Sequence, residues 1–429
     1  MKKSFTLFTV AFIFIAMSCK NDDNIALNND QTETLELTDN IEIYIADKID
    51  DHLTLAIIKG SNSAFLIDKQ GHKKYEWTFE SLLGNDLEIL PNGQLLGIFK
   101  DENAAISFGG YGGVVRLINP DNSIAWEYIT SSEDEISHHD VEMLPNGNIL
   151  ILVWEKIDEV EAENNGAFGS SHIYPEKLIE VNPDTNTIVW QWRSWEHIIQ
   201  DQEIDLPNYG VVADNPQLIH INYAPLQSGD LMHGNGMDYD NDRDIIFLSI
   251  NVFSEIWVID HSTTMAESTS HSGGNYNKGG DLLYRFGNPL AYGNTFGDVL
   301  FDHNHFPNLL ENDVLGKGNM LVYVNGLSTE QSIVYELDIP ETFNLTANTD
   351  NEPTIVWSFT DENLYNRIIS GAVRLKNGNT LICEGDYGFW EVTPEKEIVW
   401  KYNGFGSEFW RGYNYELNAP ELSNYNLID

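Results

Sequence analysis

The stretch from Ser137 to Leu152 reads SHHDVEMLPNGNILIL. Its second half has the outline of a hairpin: an apolar run, a Pro-Asn-Gly corner, then another apolar run. Asn146-Gly147 offers the positive φ that a tight type I′ or related turn requires, so the chain must reverse there. Its first half sets His138, His139 and Asp140 at the start of the incoming strand. The hairpin half returns along the chain, and the histidine half returns only at some copies. That division predicts a scaffold of repeats with chemistry placed on a few of them.

Outward from this stretch, the hairpin recurs as LEILPNGQLLGI from Leu87, MDYDNDRDIIFLSI from Met237, a looser FPNLLENDVLGKGNMLVYV from Phe306, and AVRLKNGNTLICE from Ala372. A second unit alternates with it: a strand, a polar turn, and a short run ending in an aromatic. Its copies end at Trp77, Trp126, Trp190, Tyr284 (in a longer version), Trp357 and Trp400. Six aromatic-ended units and five hairpins, at a spacing near the roughly 40–50 residues of a propeller blade, predict an all-β, six-bladed β-propeller over residues 41–429. The early strands IEIYIAD and LTLAIIKG are expected to supply the sixth hairpin by pairing with the last blade. The tryptophans read as packing between blades. Two insertions, Asp201 to Asp230 and Thr263 to Gly280, are long enough to be lids or binding loops.

The chain has 429 residues, and its 67 acidic and 23 basic side chains give a formal net charge of −44. Such a surface repels phosphate backbones and excludes nucleic acid as a partner. The two cysteines, Cys19 and Cys383, do not form a disulfide framework. Lys2 and Lys3, the apolar run Phe5 to Met17 and the small residues before Cys19 form a secretory signal peptide over residues 1–18. The Ala16-Met17-Ser18-Cys19 junction resembles the lipobox of bacterial lipoproteins, which implies acylation of Cys19. Residues 19–40, rich in Asn, Asp, Thr and Glu, read as a flexible tether. The protein is therefore expected in the cell envelope, held by a lipid anchor in the outer membrane, facing the periplasm or the surface. Oligomeric state is not encoded in any pattern we find.

Three histidine groups begin hairpin units: His138-His139-Asp140, His233-Gly234-Asn235 and His303-Asn304-His305. In a propeller, matching positions of different blades converge on the central channel, so these groups are expected to share one pocket. The other histidines, among them His72, His197, His220, His261 and His271, read as scattered loop or surface residues. Three imidazoles with Asp140 can ligate Zn²⁺ or Cu²⁺, but HExxH and clustered Cys/His spacings are missing. Alternatively, one imidazole attacks an electrophile while the others act as base and donors.

HHDVEMLPNGNIL, HGNGMDYDNDRDIIFLSINVFSEIWVID, LLYRFGNP, HNHFPNLL…GKGNMLVYVNG and SGAVRLKNGNTLICEG, in this order, resemble the bacterial, nucleotide-independent arylsulfotransferases. The resemblance implies a six-bladed propeller that moves a sulfuryl group between phenolic sulfate esters and phenols through a sulfated histidine. It implies small phenolic substrates, no nucleotide donor, no cofactor and no essential metal. The nucleophile falls on His305, with His303 as the other candidate. His233 and Asn235 match a pair that contacts sulfuryl or phenolic oxygens, and His139, or else His138, matches a histidine of an earlier blade. Where the family carries an arginine in the strand after His-x-Asn, this chain has Asn251, leaving Arg243, Arg285 or Arg411 to fill the gap. Phe253, Phe306 and Tyr323 are the aromatic candidates for a phenol pocket. Two other readings compete: a non-catalytic surface propeller that binds a glycan, phenol or protein, and a metal- or quinone-dependent oxidoreductase.

Overall fold

The computed structural model describes residues 36–169, 172–224, 229–311 and 313–428. The expected signal peptide, Cys19 and most of the expected tether lie outside these residues. Residues from Leu37 on form one compact unit, built from six antiparallel sheets arranged as a β-propeller.

Blade one consists of His52–Ile58, Ser63–Ile67 and Lys73–Thr78, with Phe409–Glu416 as its innermost strand. Blade two is Leu83–Ile89, Leu95–Lys100, Gly113–Ile118 and Ile124–Ile129. Blade three is Glu135–Met143, Ile149–Glu155, Glu176–Asn182 and Thr187–Arg193. Blade four is Gly234–Asp240, Ile245–Ile250, Glu255–Asp260 and Tyr284–Phe286. Blade five is Asn304–Leu309, Met320–Val324, Ile333–Asp338 and Thr354–Phe359. Blade six is Gly371–Arg374, Thr380–Glu384, Gly388–Val392 and Ile398–Asn403, with Ile41–Tyr44 added outside.

The ring closes differently from the sequence expectation. Ile41–Tyr44 does pair with the last blade, at Ile398–Asn403. The following strand does not. His52–Ile58 begins blade one and pairs with the C-terminal Phe409–Glu416. The missing inner strand therefore comes from the end of the chain. FWRGYNYE carries no hairpin corner, because its partner lies more than 350 residues away; a local pattern cannot show such a pairing.

The middle strands of each blade are apolar on both faces because blades stack face to face. Leu96, Ile98, Val115 and Leu117 of blade two pack with Ile149, Ile151, Val153 and Ile179 of blade three in one buried cluster. Burying one such side chain contributes about 1.5–3 kcal/mol. The recurring outer aromatics link blades by a polar contact as well. The indole of Trp126 donates to Asn186 (2.5 Å), Trp190 to Thr263 (3.1 Å), Trp357 to the Pro394 carbonyl (2.9 Å) and Trp400 to the Lys69 carbonyl (2.8 Å). Each acceptor follows the third strand of the next blade round the ring. The Tyr284 hydroxyl makes the matching contact to the Asn351 carbonyl. Trp77 departs from this: its indole N–H has no partner among the described residues, and the C-terminal Tyr425 packs edge-on against it at 5.2 Å.

Two truncations separate the two closures. A chain ending at Glu408 lacks the inner strand of blade one, and we expect it to aggregate or stay unfolded. A chain starting at Lys48 loses only the outer strand of blade six and should fold with a lower melting midpoint. Circular dichroism and size-exclusion chromatography read both; a monomeric, folded product from the C-terminal truncation would contradict the closure.

Candidate functional site

The six inner strands adjoin one another in a ring around the axis. In blades three, four and five they start irregularly. His139, His233 and His303 all have left-handed backbones, with φ of 54°, 54° and 59°. Strand register slips beside them, between Ile151 and Val153 in blade three and between Gly234 and Gly236 in blade four. A left-handed non-glycine residue costs of order 1–3 kcal/mol and persists only where its surroundings over-determine it. In blade five Phe306, next to His305, is left-handed as well, at 51°, and the register slips between His305 and Asn308.

The rings sort differently. His139 and His233 meet edge to face, with ring centroids 4.7 Å apart. His138 stacks on Trp154 at 3.6 Å and 7°, and its Nδ1 lies 2.8 Å from Nδ1 of His139. His139 and His305 approach the indole of Trp410 at 5.5 and 6.2 Å. Three blades therefore bring His138, His139, His233 and His305 into one group, around Trp154 and Trp410. His303 stays at the edge, 35% exposed, with Nδ1 on Asp302 at 3.0 Å.

The hydrogen bonds assign the His305 tautomer. Asn325 donates its amide to the carbonyls of Asn366 (2.8 Å) and Ile369 (3.0 Å), which turns its Oδ1 toward His305. That oxygen accepts from His305 Nδ1 at 2.6 Å. Nδ1 is thus the N–H, and Nε2 carries the lone pair. Nε2 is buried and has no hydrogen-bond partner among the described residues. Burial pushes the His305 imidazole down to about 3. His138 and His139 are also held well below their ordinary value, chiefly by burial.

His233 is the exception. Burial works against its charge, but the Asp230 carboxylate, with Oδ2 2.5 Å from Nδ1, outweighs burial and raises the imidazole above its ordinary value. Asp230 ends the long insertion after blade three. Behind this pair, Glu176 accepts from the Gly234 N–H (2.6 Å) and the Trp154 indole (3.1 Å). Its other oxygen stands 3.0 Å from His138 Nε2, off the line of a good hydrogen bond. Burial pushes the Glu176 carboxyl up to about 8.

The remaining candidates serve the walls. Asn235 and Asn251 both donate their amides to the Asn304 carbonyl, at 2.7 and 3.2 Å, and so hold the residue before His305. Asp140 is not placed to help ligate a metal. It is gripped by Arg411 through two 3.0 Å hydrogen bonds and accepts from the N–H groups of Met237 and Val141. Of the three arginines, Arg285 is tied to Glu255 inside blade four, and Arg243 pairs with Asp240 at the far end of the strand from His233. Only Arg411 reaches the axis, next to Trp410. Its terminal nitrogens are taken by Asp140, Asp86 (3.4 Å) and the Asn235 carbonyl (3.0 Å). Phe253 and Tyr323 belong to core clusters, and Phe306 lies under the Arg411 guanidinium at 4.2 Å. The aromatic lining is Trp154 and Trp410 instead. A cleft of about 840 Å³, lined by Tyr239, Asp240, Arg243, Leu309 and Glu311, opens at the hairpin ends of these strands, away from the histidines.

Sequence reasoning missed Asn325, Asp230, Glu176, Trp154 and Trp410. Asn325 sits in Val-Asn-Gly after a strand and reads as a turn residue; only its distance to His305 separates it from other turn asparagines.

The fold and these residues define a six-bladed propeller with a histidine group on its axis. The profile of the arylsulfotransferase (ASST) family matches residues 42–408, and the chain belongs to that family. No curated protein matches the sequence. Among solved structures, a protein of unknown function from Bacteroides caccae aligns with a TM-score of 0.47 at 14% identity, over 85% of this chain and 99% of that one. A putative 6-phosphogluconolactonase from Bacteroides fragilis aligns at 0.42 and 11%, over 86% and 99%. A functionally unknown protein from Desulfotomaculum acetoxidans aligns at 0.40 and 9%, over 85% and 99%. Likeness at this level says nothing of what this chain does.

The depressed His305 has a consequence for stability. Below about pH 6.5 the unfolded chain binds a proton on this residue that the folded chain refuses down to about pH 3, so stability falls as pH falls through that window. The limit is about 1.4 kcal/mol per pH unit for one histidine. In urea titrations at pH 7, 6 and 5, His305→Gln should lose less stability per unit than the unaltered protein. Equal slopes would mean that His305 is not held neutral.

Proposed function

We propose that this protein is an aryl-sulfate sulfotransferase working through a sulfated His305. One observation carries the reading: His305 Nε2 is a lone pair held in place by the Nδ1–Asn325 contact and engaged by no other described group. A neutral, oriented imidazole is a nucleophile at any pH above its own pKa. It attacks the sulfur of an aryl sulfate, the N–S bond forms and the S–O(aryl) bond breaks. The departing phenolate takes a proton from His233, whose Nδ1 is bound to Asp230 and whose Nε2–H is the donor. His233, now neutral, removes the proton of the incoming phenol. That phenoxide attacks the sulfur and frees His305. Nε2 is closed to solvent in this conformation, so transfer includes an opening step. His139 adds a further ring beside His233, and Trp154 and Trp410 offer aromatic faces to the phenol.

In place of the family arginine, the cation nearest the reacting group is His233. Losing one donor to a developing charge typically costs about 2.7–4 kcal/mol of barrier. The Asn251 amide is committed to the Asn304 carbonyl, and this observation favours the second reading, a non-catalytic propeller that binds a phenol, glycan or protein. Turnover of a chromogenic aryl sulfate with a phenol acceptor separates the two. We further propose that residues 1–18 are removed and that a lipid on Cys19 anchors the protein in the cell envelope, facing either the periplasm or the surface; the lipobox-like junction supports this.

Four outcomes test these readings. Exposure to an aryl sulfate without acceptor should add one sulfuryl group to the peptide containing His305. His305→Ala should lose both the adduct and transfer to background, and undiminished transfer would remove the nucleophile. Asp230→Asn should move the alkaline limb of the rate profile to lower pH, since the carboxylate no longer holds the proton on His233; an unmoved limb rules out His233 as the acid. Cys19→Ser should release the protein from the membrane pellet, and unchanged pelleting argues against the anchor.

A further inference from the structure

We propose that His197, His271 and Asp281 form a zinc site that clips the insertion of blade four to the outer edge of blade three. The three residues were expected to be unremarkable loop positions or were not singled out, yet His197 is fully buried and Asp281 is 6% exposed. Their ligand atoms lie within 4.8 Å of one another, and no other trio of His, Cys, Asp or Glu among the described residues does so, the axial histidines included. His197 Nδ1 is 2.9 Å and His271 Nδ1 2.7 Å from the same oxygen, Oδ1 of Asp281.

The donor count points to a cation. His197 Nε2 lies 2.8 Å from the carbonyl of Ser268, which can only accept, so Nε2 carries the hydrogen. In the neutral ring Nδ1 then presents a lone pair to a carboxylate oxygen. Two acceptors face each other unless a positive centre sits between them: a second proton or a metal. A metal-bound histidine commonly has this arrangement, one ring nitrogen on the ion and the other donating to a backbone carbonyl. Two imidazoles and one carboxylate are an ordinary zinc set, and His271, 65% exposed, leaves the fourth position to water. Tetrahedral zinc spaces neighbouring ligand atoms roughly 3.3 Å apart, so the Asp281 carboxylate must draw back slightly from both rings, and His271, being exposed, can adjust with it.

The surroundings are built around this point. His197 lies parallel to Trp192 at 6.1 Å and 1°. Trp192 donates to the Gly280 carbonyl at 2.7 Å, and a side chain at Gly280 would meet the Ser268 carbonyl at 2.1 Å and His197 Nε2 at 2.3 Å. The insertion was expected to be a lid or a binding loop. Its contacts run along Trp190, Trp192 and His197 of blade three instead, so the metal would serve as a fastening. The ligands come from two blades, and no short motif announces them.

The test uses the full chain without a histidine tag. After chelator treatment and dialysis, Zn²⁺ is titrated by calorimetry. We expect one ion per chain, affinity reduced at least ~10-fold in His271→Ala, and no change in His305→Ala. Zinc should also slow tryptic cleavage at Lys278 in the unaltered protein and not in His271→Ala. No stoichiometric uptake, or uptake unchanged in His271→Ala, leaves only the proton-bridged pair and overturns the site. Uptake lost in His305→Ala but kept in His271→Ala places the ion on the axis and overturns it equally.

Discussion

The architecture depends on one pairing made from opposite ends of the chain, Phe409–Glu416 against His52–Ile58. It closes the ring, and it also furnishes the axis. Trp410 reaches His139 and His305, and Arg411 reaches across the channel to Asp140 of blade three and Asp86 of blade two. Without this strand the histidines lose an aromatic wall, and Asp140 loses the partner that permits a carboxylate to be buried there. Breaking such a buried pair by removing one member typically costs about 3–5 kcal/mol, because the remaining charge stays uncompensated. Scaffold and site are therefore not separable modules here, although repetition in the sequence suggests that they are.

Repetition explains what local reading can and cannot reach. Hairpins such as Leu87 to Ile98 and Val141 to Leu152 are self-contained: turn, register and apolar faces lie within a dozen residues, so the inner two strands of most blades are legible. The outer tryptophans are legible as packing, and their partners follow once the ring order is known. Phe409–Glu416 is not legible, because its meaning lies in a partner at the other end of the chain. Nor is the distinction between His303 and His305. Both stand in one His-Asn-His triplet, and only the fold shows that the buried ring beside Trp410 is that of His305 while His303 stays at the edge. Asn325, 20 residues beyond His305, looks like any asparagine before a glycine. Its importance rests on two carbonyls, of Asn366 and Ile369, that fix which end of its amide faces the ring.

The arrangement on the axis divides the imidazoles by electrostatics. Desolvation alone makes every one of them neutral, as it does for His138, His139 and His305. Asp230 reverses this at His233 only. One neutral lone pair and one retained proton within a single pocket are the two states that acid–base-assisted group transfer requires, and neither follows from residue type. Arg411 does not supply the missing positive charge, since its terminal groups face Asp140 and Asp86; its contribution is to neutralise carboxylates that would otherwise draw protons onto the histidines.

A formal charge of −44 opposes, at long range, the anionic ester of the proposed reaction. Two effects reduce that opposition near the axis. Exposed charges farther away than about 8 Å are screened at physiological ionic strength. Buried carboxylates around the channel do not carry their full formal charge: burial pushes Glu88 up to about 7, and Asp238 and Glu176 up to about 8, and raises Glu142 as well. Near neutral pH these groups hold a substantial share of their protons. The field at the histidines is then set by the groups in contact with them, chiefly the His233 imidazolium and the Asp230 carboxylate bound to it. The acidity of the chain describes its surface and its solubility, and the axis has its own, less negative, balance.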